Sequence, residues 1–164
     1  MYKPDNLFHT INGDVMEHIM SRPVIVRKLE DSIQTIASIM KQHDIGFLPI
    51  AKGNKIVGVI TDRDLVIKAV ANKVDPTSPI ENYITHHVVY IDQNASIEEL
   101  LELMVTYQIK RVLVTSETKV VGVIAVSDLL KHINPTQFVD TLQKISRNDF
   151  HETQEDLEID SFYL

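Results

Sequence analysis

Two ungapped copies of one pattern, offset by 64 positions, run through this chain of 164 residues. The copies share residue types that hydrophobicity alone does not bring into register: Ser32 and Ser96, Lys55 and Lys119, Gly58 and Gly122, Asp64 and Asp128. A repeat at a fixed period is typical of a fold built from duplicated units. Each copy spans only about 55 residues, which is generally too few to form a stable hydrophobic core on its own. We therefore expect the two copies to pack against each other around a pseudo-two-fold axis.

Hydrophobic patterning predicts one order of elements in both copies, namely strand, helix, strand, strand, helix. In the first copy these elements are predicted at 24–27, from Ile33 to Met40, 47–51, 55–61 and 62–71. In the second copy they are predicted at 88–91, 97–107, 111–115, 120–125 and 127–132. Gly53 and Asn54 favour a hairpin between two strands, and Ser96 with Glu99 is typical of a capping box. The sequence predicts an α/β (α+β) fold of two β-α-β-β-α repeats, with two equivalent clefts between them.

The domain organisation follows from the repeat. We expect an N-terminal extension at 1–13, a first repeat at 14–73, a linker at 74–79, a second repeat at 80–133 and a C-terminal segment at 134–164. Two prolines in the linker interrupt any helix.

The C-terminal segment combines a predicted helix with an acidic stretch. Phe138, Leu142 and Ile145 recur at helical spacing and predict a helix over 136–146. Residues 149–164 hold six acidic side chains and no Lys or Arg. This stretch is interpreted as a solvated tail, a dimer arm or a peptide that docks on a partner.

Composition argues against several classes of function. The chain has no cysteine, so it has no disulfide framework, thiolate zinc site or cysteine nucleophile. The net charge is −7 and only 6% of residues are aromatic, so we expect neither a basic face nor a stacking surface for nucleic acid. The longest apolar run is too short for a membrane span, and residues 1–10 lack a secretory signal pattern, so a cytoplasmic protein is expected. No P-loop, nucleophile elbow or zinc-protease motif occurs, so no enzymatic activity is expected.

Thr61 and Asp64 stand where a predicted strand gives way to a predicted helix. Free N–H groups at a helix start attract phosphate, and a threonine there can cap the helix and also touch a ligand. A carboxylate one turn along accepts hydrogen bonds from two vicinal hydroxyls, which is what a ribose presents. The alternative is that Thr61 only caps the helix and that Asp64 only complements the helix dipole.

The sequence resembles the tandem CBS domain family, also called the Bateman module, in GVITDRDL at 58–65, in 14–16 and 19–23, and in HDIGFLPI at 43–50. The resemblance covers roughly residues 14–133 and fits stand-alone bacterial proteins that are little more than a CBS pair. It implies regulation by an adenine-containing ligand: AMP, ADP, ATP, S-adenosylmethionine, NADH or a cyclic dinucleotide. It also implies that no cofactor is required, that the CBS helices form a homodimer, and that an unidentified protein is regulated.

The resemblance also implies a first nucleotide site with residues from both repeats. Its members are Thr61, Arg63, Asp64, Arg22, Pro23, Val24, Lys110 and Arg111. The residues that match Thr61 and Asp64 bind ribose and phosphate in the family, and the loop at 22–24 lies beside the adenine. Lys110 and Arg111 reach across from the second repeat and neutralise phosphate. Alternatively, these two basic residues are solvated surface charges beside a strand.

A second, weaker site is expected around Asp128, Ser127, His86 and Val88. Ala125 replaces the threonine there, and the family's crossed arrangement sets Asp128 against Gly46 and Phe47, which cannot neutralise phosphate. No metal site is expected at the adjacent histidines His86 and His87, because neighbouring side chains point apart in an extended chain.

Three functions remain open from the sequence. The first is a non-enzymatic nucleotide sensor that signals to a partner, and the second is a scaffold of the same fold whose ligand site is vestigial. The third is an enzyme such as a nucleotide hydrolase, against which the missing catalytic motifs argue.

Overall fold

Two three-stranded sheets, one in each repeat, form the framework of the computed structural model, which describes residues 15–146. In the first repeat the elements are α1 (Val15–Ile19), β1 (Arg27–Lys28), α2 (Ile33–His43), β2 (Phe47–Lys52), β3 (Lys55–Thr61) and α3 (Asp62–Asp64). Helix α3 continues as a π-helical segment (Leu65–Val70), and a 3-10 turn (Ile80–Asn82) follows. In the second repeat they are β4 (Tyr90–Asp92), α4 (Ile97–Tyr107), β5 (Arg111–Ser116), β6 (Lys119–Ala125), a 3-10 segment (Val126–Lys131) and α5 (Pro135–Ser146). The N-terminal extension and the acidic stretch at 149–164 lie outside the described residues.

The two sheets have one topology and one register. In each, the first strand runs parallel to the middle strand, which pairs antiparallel with the third. Phe47 stands opposite Thr61, and Arg111 stands opposite Ala125 at the same place in the second sheet. Each hairpin has a register shift at the same point along its middle strand. The mixed α+β fold of two β-α-β-β-α repeats is therefore confirmed.

The first strand of each repeat is shorter than the sequence predicts. The strand expected at 24–27 is reduced to Arg27–Lys28, and the one expected at 88–91 is found at Tyr90–Asp92. Val24 and Ile25 line one cavity between the repeats, and Val88 and Val89 line another. These residues have high strand propensity, but a strand forms only where a neighbouring strand supplies its hydrogen bonds.

The last helix of each repeat also differs from the prediction. The helix expected at 62–71 is one α-helical turn that continues as a π-helix, and the helix expected at 127–132 is a 3-10 segment. The capping box at Ser96 and Glu99 and the C-terminal helix are confirmed, with α5 running over Pro135–Ser146.

The segment at the start of each repeat, before its first strand and here called its leading segment, crosses to the sheet of the other repeat. Ser21 pairs with Val123 of β6 through two backbone hydrogen bonds of 2.8 and 3.2 Å. Thr85, 64 positions later, pairs with Val59 of β3 through bonds of 2.9 and 2.8 Å. This reciprocal exchange is the pseudo-two-fold relation that the repeat predicts.

The same exchange joins the two apolar cores. Met16 and Met20, in the leading segment of the first repeat, are buried in the core of the second. Ile80 and Ile84, in the leading segment of the second repeat, are buried in the core of the first. Full burial of such a side chain contributes about 1.5–3 kcal/mol, so each repeat relies on the other's leading segment for stability.

A glycine in each third strand permits this close approach. A Cβ added at Gly58 would lie 2.7 Å from Ile84 Cδ1 and 2.8 Å from the Thr85 carbonyl oxygen. A Cβ at Gly122 would collide with the side chain of Met20. The two glycines of the repeat therefore mark where a leading segment crosses a strand.

Candidate functional site

A cavity of about 460 Å³, here called the first cavity, lies between the end of β3 and the start of β5. Its charged wall carries Thr61, Arg63 and Asp64 from the first repeat, with Lys110 and Arg111 from the second. Small-molecule pockets usually span about 300–1,000 Å³, so this cavity is large enough for a small-molecule ligand. The structure thus brings together five of the eight residues that the sequence assigns to the first site.

Thr61 and Asp64 form a reciprocal capping box at the start of α3. The Asp64 amide donates to Thr61 Oγ1 at 3.0 Å, while the Thr61 amide and hydroxyl donate to Asp64 Oδ2 at 2.9 and 2.7 Å. The extended backbone at Thr61 turns into the helix at this point. Thr61 therefore caps the helix, as the alternative interpretation expects, and Thr61 and Asp64 also line the cavity.

Lys68 completes the environment of Asp64. Its ammonium lies 2.8 Å from Asp64 Oδ1 and also donates to the Tyr83 carbonyl at 3.2 Å. Burial raises the pKa of Asp64, but the hydrogen bonds from Lys68 and Thr61 together outweigh it and hold the pKa below its usual range. Asp64 is therefore ionised at neutral pH, and Lys68 ties it to the segment that leads into the second repeat.

Arg111 lies between the two cavities. Its guanidinium carbon is 6.0 Å from the centroid of the Phe47 ring, at the outer limit of a cation–π contact. Arg111 and Phe47 line both the first cavity and a second cavity of about 300 Å³. The expectation that Asp128 faces no basic side chain is therefore wrong, because the long Arg111 side chain reaches into both spaces. Lys110 lines the first cavity.

The loop before the first strand of each repeat lines the other cavity from the one to which the sequence analysis assigned it. Pro23 and Val24, expected beside Thr61, line the second cavity together with Asp128. Val88, expected beside Asp128, lines the first cavity together with Thr61. The cause is the crossing of the leading segments: Ser21 pairs next to the end of β6, so the residues after it enter the cavity at that end.

Three further residues of the predicted sites lie outside both linings. Arg22 forms an ion pair of 3.2 Å with Glu17, and its peptide bond to Pro23 is cis. His86 Nδ1 lies 3.2 Å from the Val57 carbonyl oxygen, and Ser127 is exposed. The structure places these side chains beside the cavities rather than in them.

The second cavity keeps half of the capping arrangement. The Ala125 amide donates to Asp128 Oδ2 at 2.8 Å, but no side-chain hydroxyl stands at this position. Gly46 and Phe47 line this cavity, as the crossed arrangement predicts, in the positions that Lys110 and Arg111 occupy in the first. Thus the two cavities share a backbone plan and differ in their polar side chains.

Gln108 and Ile145 are among the residues of the first cavity that sequence reasoning missed. Gln108 ends α4 in the left-handed region, with φ of 53°. Its amide Nε2 donates to the carbonyls of Val105 at 2.7 Å and Lys144 at 2.9 Å. The missed signal is the helical spacing of Phe138, Leu142 and Ile145, which predicts α5 but not the surface on which it packs.

Within residues 15–146, no three metal-ligating side chains of His, Cys, Asp or Glu come together. No helix in this part of the chain has the length and apolar content that a membrane span requires.

The fold and the paired cavities define a module of two interlocked repeats, each with a capped helix start directed into the space between them. The model of the CBS domain matches residues 15–70 and again 80–135. The chain belongs to the CBS domain family and carries a tandem pair of these domains, a type of regulatory module.

The relatives include bacterial proteins of similar size. Hypoxic response protein 1 of Mycobacterium tuberculosis is 36% identical over 117 residues, covering 70% of this chain and 82% of the relative. The CBS domain-containing protein YhcV of Bacillus subtilis is 29% identical over 133 residues, covering 80% and 95%.

Solved structures show the same fold. A crystal structure of Hypoxic Response Protein I with two coordinated zinc ions is 35% identical, with a TM-score of 0.62 over 72% of this chain and 98% of that one. The CBS domain pair of protein MJ0100, in complex with methylthioadenosine and S-adenosylmethionine, is 29% identical. Its TM-score is 0.64 over 73% of this chain and 94% of that one.

Proposed function

We propose that this chain is a non-catalytic regulatory module that binds an adenine-containing ligand in the first cavity and passes its ligand state to a partner. The observation that carries the proposal is the joint placement of Thr61, Asp64, Lys110 and Arg111 around one cavity of about 460 Å³. A CBS pair of 29% identity binds two adenosine derivatives, which supports this class of ligand.

Each part of a nucleotide has a matching surface in the first cavity. Val88 and Val89 supply an apolar wall for a base. Asp64 supplies an acceptor for a ribose hydroxyl. The basic side chains of Lys110 and Arg111 suit a phosphate, or the carboxylate of S-adenosylmethionine. The ligand candidates are therefore AMP, ADP, ATP and S-adenosylmethionine, with no further cofactor required.

Asp64 keeps the capacity to accept from a ribose. A carboxylate offers about four acceptor positions, and the three donors described above are the Thr61 amide, the Thr61 hydroxyl and Lys68. Oδ2 already accepts two hydrogen bonds, so the remaining position is on Oδ1, beside Lys68. This is one contact rather than the two that a freely oriented carboxylate offers.

The second candidate function is a scaffold whose ligand site is vestigial. The internal engagement of Asp64 favours it, because every donor that Asp64 binds within the protein competes with a ligand. The missing hydroxyl at Ala125 favours it for the second cavity.

A thermal-shift screen separates the two functions. A ligand that binds only the native state, at 100 times its dissociation constant, adds about 2.7 kcal/mol to the free energy of unfolding. We expect at least one of AMP, ADP, ATP and S-adenosylmethionine at millimolar concentration to raise the melting temperature. Guanosine and cytidine nucleotides of equal charge are the controls for nonspecific anion binding. If none of the four adenine compounds acts, the scaffold function replaces the sensor.

We also propose a homodimer that forms through the helices that end the repeats. Val66, Ile67 and Val70 on the π-helical segment are 59, 49 and 66% exposed, and Leu130, 64 positions after Val66, is 58% exposed. Such apolar residues on matching helices suit a self-complementary interface. Sedimentation of Val66→Asp should show a monomer, while Lys55→Glu, at an exposed position at the opposite end of β3 from this segment, should remain dimeric. A monomeric wild-type chain at micromolar concentration would contradict the proposal.

A further inference from the structure

Helix α5 closes one end of the first cavity. Ile145, in its last turn, lines this cavity and is only 3% exposed. The helix packs against α4 and belongs to the core of the second repeat through Phe138, Leu142 and Ile145. The wall that Ile145 provides therefore exists only while α5 is docked.

Gln108 is the hydrogen-bonded link between the cavity and α5. Gln108 lines the cavity, and its Nε2 donates to the carbonyl of Lys144, the residue before Ile145. The last carbonyls of a helix have no partner within the helix, so this bond satisfies one of them. Since Nε2 faces two carbonyl oxygens, Oε1 is the remaining acceptor, and it is buried without a hydrogen-bond partner among the described residues.

The link is also close to the basic side of the site. Gln108 stands two residues before Lys110 and three before Arg111, in the short turn between α4 and β5. A ligand that draws these basic side chains toward phosphate acts on the same turn that holds α5.

The second cavity has no such wall. Asp44 stands at the position equivalent to Gln108, with φ of 52°, and lines the second cavity. Within residues 15–146, the segment after the first repeat turns back to α2, where the Gln34 amide donates to the Pro76 carbonyl. No residue of α5 lines the second cavity. The C-terminal helix thus distinguishes one cavity from the other.

We propose that α5 is a ligand-linked part of the first site, and that Gln108 is the positioning residue that couples docking of α5 to occupancy of the cavity. This inference rests on the proposed function. A ligand in contact with the Ile145 wall binds the docked state more tightly than the undocked one, so occupancy favours docking. Linkage makes the effect reciprocal: whatever releases α5 weakens binding by the same factor. α5 then carries ligand state to the C-terminal side of the module.

The test is hydrogen exchange at residues 138–146 of the full chain, with and without millimolar ATP, ADP, AMP or S-adenosylmethionine. Binding of each compound is measured calorimetrically on the same samples. We expect the bound compound to slow exchange in α5 by at least about fivefold, the lower end of typical coupling.

Gln108→Asn supplies the decisive variant. Asparagine is tolerated in the left-handed region, but its side chain is one methylene too short to reach the Lys144 carbonyl. We expect faster exchange in α5 of the free protein and an affinity weakened by a matching factor. Gln143→Asn makes the same substitution at an exposed position of α5 and should change neither quantity.

Each outcome decides the proposal. If a compound binds but exchange in α5 is unchanged, or if Gln108→Asn frees α5 without loss of affinity, the inference is wrong while the proposed function stands. If none of the four compounds binds, both are wrong.

Discussion

The two cavities of this chain are built on one backbone plan and carry different chemistry. Each lies where a third strand ends in a helix start, and each has an aspartate whose carboxylate accepts from the backbone at that start. The first cavity adds the Thr61 hydroxyl, Lys110 and the Ile145 wall, whereas the second has Ala125 and Gly46 in the corresponding places. The difference shows that duplication sets the position of each cavity, and that a few side chains then set its polar lining.

Arg111 belongs to both cavities, so the two cavities do not differ simply by having or lacking a basic side chain. Because it lines both spaces, the second cavity retains one cationic group near Asp128. The expected difference between the cavities therefore rests on Thr61, Lys110 and α5 rather than on the presence or absence of positive charge.

The largest expected difference follows from removing each aspartate. A hydrogen bond to a charged group contributes about 1.5–3 kcal/mol, so Asp64→Ala should weaken nucleotide binding by at least about tenfold. Asp128→Ala should leave the tighter binding event nearly intact. Calorimetric titration of both variants, with folding checked by thermal melting, measures the two effects. Equal losses from the two variants would remove the distinction between the cavities.

A somewhat smaller difference is expected between the two basic residues. Lys110→Ala should weaken ATP more than adenosine by up to about tenfold, because its partner is a phosphate. Arg111→Ala should do the same and also weaken any residual binding that remains in an Asp64→Ala background, since Arg111 lines the second cavity as well. A loss as large for adenosine as for ATP would show that neither side chain acts through phosphate.

Substitutions at the N-cap residue of each helix start compare the two cavities through the free energy of unfolding. Thr61→Ala removes a cap and should cost about 1 kcal/mol of unfolding free energy. Ala125→Thr should recover part of such an amount, because the backbone at Ala125 is already extended and Asp128 already accepts from its amide. Urea denaturation of the two variants measures both changes. A destabilising Ala125→Thr would mean that the second helix start is not equivalent to the first.

The smallest effect concerns pH. The pKa of Asp64 is lower in the folded protein than in the unfolded chain, so ionised Asp64 stabilises the native state above about pH 4. This contribution is lost as the pH falls through the folded-state pKa. The stability difference between the wild type and Asp64→Asn should therefore shrink on going from pH 7 to pH 3 in urea denaturation. A difference that stays constant or grows would show that the lowered pKa does not stabilise the fold.

The local parts of the fold were predictable from the sequence. The hairpin strands found at Phe47–Lys52 and Lys55–Thr61 match the predicted ranges within one residue, because alternation and turn residues are local signals. The pairing of Ser21 with Val123 was not predictable, since it joins residues far apart through backbone atoms only. That pairing decides which loop enters which cavity, so the grouping of Val24 and Val88 was wrong.

The lining of the first cavity was predictable at positions that depend on the repeat, and it was not predictable at positions that depend on packing. Thr61 and Asp64 were found because a strand end, a helix start and an aspartate recur at one offset. Ile145 has no counterpart in the pattern, because α5 follows the second repeat alone, and the position of Gln108 carries Asp44 in the first repeat. The reach of Arg111 into both cavities depends on its side-chain conformation over Phe47, which residue type does not determine.

The difference between the two cavities predicts the order in which a ligand fills them. A titration of isotope-labelled protein with AMP, ATP or S-adenosylmethionine, followed through its amide resonances, reports this order residue by residue. We expect Thr61, Asp64 and Lys110 to shift at lower ligand concentration than Gly46 and Asp128. Simultaneous shifts in both sets, shifts at Gly46 and Asp128 first, or no shifts with any of the three compounds would contradict the account.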